Sequence, residues 1–216
     1  MNQASETVRV LKRDEVGVIE LVVDAAGERI RRDPGRAVAV LRWMARWVAA
    51  NEARALRQLP QSDHCPRLLA WDGRQLERSY IPGRPLHQAR PTEPEFYHRA
   101  RRLLGWLHRH GVAHNDLAKE ANWLVMPDGR PALVDFQLAW RGAPRGRFFR
   151  MLAHEDLRHL LKHKRRYCPH CVTPVEWRVL ARRSWLRQVW FATFKPVYQF
   201  VTRKLFNWRD NEGIRD

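Results

Sequence analysis

Cysteine is scarce in this chain, and long apolar segments are absent. Only three cysteines occur among 216 residues, at Cys65, Cys168 and Cys171. So few cysteines cannot build the disulfide framework of a small secreted domain, and we therefore expect a protein of the reducing cytoplasm. Residues 1–13 contain no apolar region of the kind found in a signal peptide. No apolar run approaches the roughly 20 residues that a membrane-spanning helix needs.

Two of the cysteines are close in sequence. Cys168-Pro-His-Cys171 has the spacing of a redox motif or of half a zinc site. Because no second pair of cysteines follows, Cys168, His170 and Cys171 can supply at most part of a metal site. The spacing alone does not decide between these two interpretations.

Positive charge is the clearest bias of the composition, and it is concentrated in the last third of the chain. The formal net charge is +17, and residues 141–216 contain 18 Lys or Arg against six Asp or Glu. This surplus predicts an anionic partner: a phosphate-bearing lipid surface, a polyanionic substrate or nucleic acid. The hydrophobic content of 44% is typical of a globular protein and excludes general disorder.

A β-hairpin is predicted in residues 123–135. Residues 123–126 and 132–135 are short apolar runs, and residues 127–130, Pro-Asp-Gly-Arg, have the composition of a turn. The second strand ends at an acidic residue, so the hairpin can hold a carboxylate on a rigid element.

Polar residues accompany one end of this hairpin. His114-Asn115-Asp116 leads into it, Asn122 precedes its first strand, and Asp135 ends its second strand. One carboxylate can orient a hydroxyl group while an Asn and a second carboxylate hold Mg²⁺. Phosphoryl transfer from a metal–nucleotide needs such an arrangement.

The order of these residues resembles the protein-kinase-like superfamily, in which a His-Arg-Asp…Asn loop precedes an Asp-Phe-Gly loop. Here the motifs are His114-Asn115-Asp116…Asn122 and Asp135-Phe136-Gln137, with a separation of 19 positions between the two acids. The resemblance implies an α+β, two-lobed fold. We expect a small nucleotide-binding lobe of antiparallel strands and one helix in residues 1–82, and a reduced, mostly helical lobe in residues 83–216.

The resemblance also implies roles for the motif residues. Asp116 would accept or orient the proton of the substrate hydroxyl, and Lys119 would neutralise charge on the transferred phosphoryl group. Asn122 and Asp135 would hold Mg²⁺. Asn122 follows Asp116 by six residues instead of the five usual in the family, which calls for a one-residue bulge. Gln137 replaces the family's glycine, and we therefore expect a metal-binding loop that does not switch.

The nucleotide phosphates are expected beneath the first strands. The turn of residues 12–17 has one glycine where a kinase loop has three, so Lys12 or Arg13 would compensate by charge. The Lys of the family's third strand is missing. We expect Arg31 to replace it and to pair with Glu52 of the following helix, and Arg32 is the alternative.

The adenine base is expected at a hinge formed by Ser79, Tyr80 and Ile81. Pro82-Gly83 and Pro85 interrupt the pattern after it, which places the lobe boundary near residue 82.

Other elements are predicted from periodicity. Strands are expected at residues 8–11, 17–23, 29–32, 67–71 and 75–81, and helices at 36–59, 95–110 and 151–166.

Only 79 residues follow Gln137, and none form the Ala-Pro-Glu motif that ends a protein-kinase activation segment. A kinase-like chain without this motif resembles the compact branch of the superfamily, which includes small-molecule kinases, RIO-type kinases and bacterial lipopolysaccharide-core sugar kinases. The resemblance implies an ATP- and Mg²⁺-dependent kinase whose acceptor is a hydroxyl of such a sugar or of a protein Ser/Thr.

Two other functions remain open on the sequence. A pseudokinase that binds nucleotide or a partner without catalysis fits the degenerate glycine loop. A basic nucleic-acid-binding module fits the charge, but no helix-turn-helix, RNP or zinc-finger pattern occurs.

Residues 177–208 mix aromatic side chains with Arg and Lys. Such a segment can pack on the helical lobe, or it can lie in the interface of an anionic membrane. The second alternative predicts peripheral binding to the inner face of the cytoplasmic membrane and a membrane-linked acceptor.

Overall fold

The computed structural model describes residues 7–14, 17–25 and 27–181. The contacts within the chain divide it into two compact units, Met1–Glu176 and Trp177–Asp216. Of the second unit, only residues 177–181 are described, so the membrane prediction for residues 177–208 lies almost wholly outside the described residues. The predicted lobe boundary near residue 82 lies inside the first unit and stays a prediction.

An antiparallel sheet forms the first part of the described chain. Its strands are β1 (Thr7–Asp14), β2 (Gly17–Asp24), β3 (Gly27–Asp33), β4 (Leu68–Trp71) and β5 (Leu76–Ser79), in the order β1-β2-β3-β5-β4. The strands predicted from apolar runs are confirmed. On β2, Val18, Glu20 and Val22 are buried at a spacing of two, which is the period of a strand with one face covered.

A long helix, α1 (Arg42–Gln58), connects β3 to β4. The helix predicted for residues 36–59 begins too early, because Pro34–Arg36 and Ala39–Leu41 form separate 3₁₀ turns. The side chain of Asp33 accepts the Gly35 N–H at 2.8 Å, and Val38 has a non-helical backbone with ψ 142°. These local geometries interrupt the helical hydrogen-bond ladder before α1 begins.

Most residues of regular structure in the remaining part are helical, although it also contains several short strands. In chain order they are β6 (Arg84–Pro85), α2 (Leu86–Ala89), α3 (Pro94–Arg109), β7 (Val112–Ala113), β8 (Trp123–Val125), β9 (Pro131–Leu133), β10 (Trp140–Arg141), α4 (Arg147–Tyr167) and α5 (Pro174–Ala181). Strands β8 and β9 form the predicted hairpin, and β6 pairs with β8. The α+β class is therefore confirmed. Within the described ranges, no helix is both long and apolar enough to cross a membrane.

The core of this helical part surrounds the hairpin. Trp123, Phe136 and Leu133 are fully buried, together with Leu104 and Leu107 of α3. Helix α3 confirms the prediction for residues 95–110, and Gly111 follows it at φ +72°, a left-handed conformation that ends many helices. The packing holds the strand ends, and thereby the polar residues beside them, in place.

Candidate active site

The loop that carries Asp116 is attached to α4 by one buried carboxylate. Asp156 accepts the backbone N–H of His114 at 2.8 Å and that of Asn115 at 2.9 Å. A side chain also contacts it: His108 Nε2 lies 3.0 Å from the Asp156 carboxylate. Asp156 is 1% exposed. Charge-assisted bonds to backbone N–H groups in such a dry setting fix the loop strongly.

Helix α4 holds the same loop at two further points. His163 Nε2 lies 2.8 Å from the carbonyl oxygen of Leu117, to which it must donate. Burial lowers the pKa of His163, which favours the neutral ring. Glu120 accepts hydrogen bonds from the Tyr167 hydroxyl at 2.7 Å and from Arg166 at 2.9 Å. Helix α4 therefore holds the loop at several positions between His114 and Glu120.

Asp116, Lys119 and Asn122 lie together. The Asp116 carboxylate accepts from Lys119 Nζ at 2.8 Å and from Asn122 Nδ2 at 3.0 Å. The Asn122 amide nitrogen also donates to the Asp116 carbonyl at 2.9 Å. A 3₁₀ turn over Glu120–Asn122 closes the six-residue separation, which explains how the longer spacing is accommodated. Because the amide nitrogen is engaged by Asp116, the amide oxygen of Asn122 is the atom left for a cation.

Asp135 follows β9 in a left-handed conformation, with φ 67° and ψ 68°. Its neighbour Val134 donates its N–H to the Asn122 carbonyl at 3.0 Å, which ties the two expected metal ligands together. A left-handed Asp costs on the order of 1 kcal/mol, and such residues cluster at functional sites. Asn115 is also left-handed, at φ 62°.

Arg32, the alternative residue, pairs with Glu52, so the expected pairing of Arg31 with Glu52 is wrong by one residue. Arg32 Nη1 donates to Glu52 Oε2 at 3.4 Å. Arg31 lies opposite Glu77 of β5 and donates to it at 2.9 Å. Successive side chains of a strand point to opposite faces, and Arg32 shares the buried face with Ile30. Arg31 is therefore turned away from α1.

Glu52 also contacts a second cation that was not expected. Its carboxylate is 1% exposed, and Arg78 Nε of β5 lies 3.1 Å from Glu52 Oε1, without the alignment of a hydrogen bond. Two guanidinium groups from neighbouring strands therefore compensate one buried carboxylate.

Gln137 connects this ion pair to the loop after Asp135 that is expected to bind metal. Its side-chain oxygen accepts from Arg32 Nη2 at 3.0 Å. Its backbone carbonyl accepts from the side chain of Asn51 of α1 at 3.0 Å, and Asn51 also donates to the Ala139 carbonyl at 2.9 Å. These bonds support the expectation of a fixed loop.

Sequence reasoning missed Asn51, Arg78 and Asp156. A signal existed only for Asp156, because it occupies a helical position between Leu152 and Leu160, both buried in α4. A carboxylate on an apolar stripe has to find internal partners.

Two backbone N–H groups of the expected hinge form hydrogen bonds within the protein. The Ser79 N–H donates to the Arg67 carbonyl at 2.9 Å, and the Tyr80 N–H donates to the Glu28 carbonyl at 3.3 Å. Ile81 is buried. Lys12 lies in β1 opposite Ile19, but its side chain is outside the described part of the protein, so its phosphate contact stays a prediction.

Cys168 and Cys171 are joined by a disulfide. His170 Nε2 lies 3.9 Å from the Cys168 sulfur, and the three side chains offer ligand atoms within 4.8 Å of one another. Metal binding requires thiolates, so this group can serve as a metal site only after reduction.

Comparisons with known proteins provide structural matches but no sequence matches. No family model and no curated protein matches the sequence. A crystal structure of the Rio2 kinase from Chaetomium thermophilum is similar with a TM-score of 0.59 and 16% identity, covering 76% of this chain and 58% of that chain. The chain has a protein-kinase-like fold.

A second crystal structure supports the same fold. The Rio2 kinase–ADP/Mg²⁺–phosphoaspartate complex from the same organism matches with a TM-score of 0.57 and 15% identity, covering 93% of this chain and 70% of that chain. The predicted fold is thus confirmed. The bacterial sugar-kinase branch stays a prediction.

Proposed function

We propose that the protein is an Mg²⁺-ATP-dependent phosphotransferase that transfers a phosphoryl group to a hydroxyl. The observation that carries the proposal is the connection of three polar residues at one end of the hairpin. Asn122 donates to the Asp116 carboxylate at 3.0 Å, and its carbonyl accepts from Val134, next to Asp135. The fold is that of solved kinases, one of which was crystallised with ADP and Mg²⁺.

The donor set fits Mg²⁺. The Asp135 carboxylate and the Asn122 amide oxygen are hard oxygen ligands, and Mg²⁺ in kinases is held by few protein groups together with phosphates. When bound, the ion would neutralise charge on the phosphate oxygens. The hydrogen bond from Asn122 to Asp116 orients the amide oxygen, and the hairpin positions Asp135.

Asp116 is the group that would orient the acceptor hydroxyl and take its proton. Lys119 is 57% exposed in its side chain and holds the Asp116 carboxylate at 2.8 Å. A flexible ammonium group at this place can move towards a transferred phosphoryl group and stabilise its charge. We therefore assign catalysis to Asp116 and Lys119, as the sequence suggests.

The nucleotide would contact the sheet and the hinge. We assign the phosphate-binding role of the missing strand Lys to Arg32, because Arg32 and not Arg31 contacts Glu52. Since the N–H groups of Ser79 and Tyr80 bind Arg67 and Glu28, adenine recognition would use Ile81 and the hinge carbonyls.

For the acceptor, we propose a hydroxyl of an anionic, membrane-linked compound such as a lipopolysaccharide-core sugar, with a protein Ser/Thr as the alternative. The support is the surplus of Lys and Arg in residues 141–216. A cytoplasmic protein bound to the inner face of the membrane fits such an acceptor. Co-sedimentation with anionic and neutral vesicles at low and high salt tests this part, and absence of binding to either contradicts it.

The function is tested by incubating the purified chain with labelled ATP and Mg²⁺ together with lipid-linked sugars or a protein extract. We expect transfer that requires Mg²⁺ and is lost in Asp135→Asn. Mg²⁺-dependent ATP binding without transfer to any acceptor would instead indicate a pseudokinase. Failure to bind ATP would overturn the proposal.

A further inference from the structure

A cavity of about 600 Å³ lies between α3, the β8–β9 turn and the segment that follows α1. Arg99, Arg102 and Arg109 of α3 and Arg130 of the turn line it, together with Trp106. We refer to it as the arginine cavity. Its volume is in the range of small-molecule sites. It shares no residue with the candidate active site.

The position of the arginine cavity separates it from the phosphotransfer residues. Pro131, the first residue of β9, lines it, whereas Asp135 follows the other end of that strand. Four residues of extended chain span on the order of 13 Å. A ligand in the cavity would therefore lie apart from the candidate phosphotransfer residues.

Helical spacing brings the cations to one face. Arg99, Arg102, Trp106 and Arg109 follow at intervals of three or four residues along α3, next to the buried face of that helix. Their charge is only partly compensated. Glu95 pairs with Arg99 at 2.8 Å and with Arg102 at 3.3 Å, and Asp128 pairs with Arg130.

Among the described residues, only two carboxylates, those of Glu95 and Asp128, pair with the four guanidinium groups, and neither residue lines the cavity. Within the described part of the chain, no carboxylate pairs with Arg109, and no acidic residue lines the cavity. Guanidinium groups bind phosphate through two parallel hydrogen bonds, and the Trp106 ring adds an aromatic surface.

We propose that the arginine cavity binds the phosphate group of a ligand, at a site separate from the candidate active site. The spacing on α3, the uncompensated Arg109 and the enclosing turn carry the inference together. The site does not depend on the proposed phosphotransfer, since it uses none of those residues.

The test measures binding of inorganic pyrophosphate to the whole chain by calorimetry, without Mg²⁺ or nucleotide. A parallel experiment uses vesicles that contain phosphatidic acid. We expect Arg102→Ala and Arg109→Ala each to weaken binding by at least about tenfold in one of the two experiments, since each removes charge-assisted hydrogen bonds. If the variants weaken the binding of pyrophosphate, the ligand is a soluble phosphate. If they weaken the binding of vesicles, it is a lipid headgroup.

Arg101→Ala is the matched control. Arg101 lies on the same helix, is exposed and does not line the cavity, so the change removes the same charge with the same effect on helix propensity. We expect less than a twofold change. Equal weakening by Arg101→Ala would show diffuse attraction to a basic surface and overturn the proposal, as would absence of binding in both experiments. Unchanged thermal unfolding of the three variants shows that the fold is retained.

Discussion

The two sides of the candidate active site are built differently. On the hairpin side, the backbone that carries Asp116, Asn122 and Asp135 is held through its own N–H and C=O groups, by Asp156 and by the bond between Val134 and Asn122. On the sheet side, the Arg32 side chain is held by two other side chains, Glu52 and Gln137, and Arg78 also contacts Glu52.

This contrast indicates which residues of the site can be replaced by a different residue type. A carboxylate whose position depends on the main chain has no substitute of the same geometry nearby. A cation held by other side chains can be supplied by a different residue, because a longer guanidinium reaches the same carboxylate. On the sheet side the strand Lys and two of the three loop glycines are missing, whereas both motif acids of the hairpin side, Asp116 and Asp135, are present.

The largest effect is expected from the acids of the hairpin side. Asp116→Asn and Asp135→Asn should each lower phosphotransfer at least about 100-fold, because a positioned proton acceptor or metal ligand is lost. Asp135→Asn should also weaken Mg²⁺-dependent ATP binding. Steady-state kinetics and calorimetry measure the two effects. Turnover within a few-fold of the unmodified protein would contradict the assignment.

Asp156→Ala tests the support below the loop. It leaves the His114 and Asn115 N–H groups without their acceptor, and we expect a loss of about 3 kcal/mol in unfolding free energy. Asp156→Asn retains one acceptor oxygen and should cost less. Denaturant unfolding measures both variants. Equal stability of Asp156→Ala and the unmodified protein would show that the loop does not depend on α4.

The sheet side is tested by a matched pair of arginines on one strand. Arg32→Ala should raise the ATP concentration for half-maximal activity about tenfold, because one charge-assisted contact is lost. Arg31→Ala should change it less than threefold, since Arg31 contacts Glu77. A larger effect of Arg31→Ala than of Arg32→Ala would indicate that Arg31, the residue first expected, binds the phosphates.

A lower pH should also destabilise the protein through α4, the helix that holds the loop of Asp116, but by a smaller free energy. Burial, helped by nearby Lys162, lowers the pKa of His159 to about 4. Between that value and the usual 6.5, the unfolded chain binds more protons than the folded one, so stability falls as the pH decreases. His159 alone contributes a loss of about 0.7 kcal/mol between pH 7 and pH 6.

His159→Gln should reduce this pH dependence without removing it, because burial also lowers the pKa of His163. Chemical denaturation at several pH values measures the slope. A slope that is the same in both proteins would show that His159 titrates normally in the folded state.

Local pattern determined much of the architecture. The alternation of β2, the period of α3 and the turn chemistry of residues 127–130 depend on neighbours within a few positions, and the structure contains all three elements. The order of Asp116, Asn122 and Asp135 around the hairpin also follows from sequence, because a short hairpin necessarily brings its two ends together.

The contacts between distant residues depend instead on how the elements pack. Whether Arg31 or Arg32 faces α1 depends on which face of β3 the helix covers, and one residue of register reverses that choice. The partners of the ion pair and of the loop come from distant positions: Arg32 and Gln137 are 105 residues apart, and Asp156 and His114 are 42 apart. The arginine cavity likewise depends on the packing of α3 against the β8–β9 turn. Sequence periodicity reports which face of an element is buried, but the identity of the partner across that face arises only when the elements pack.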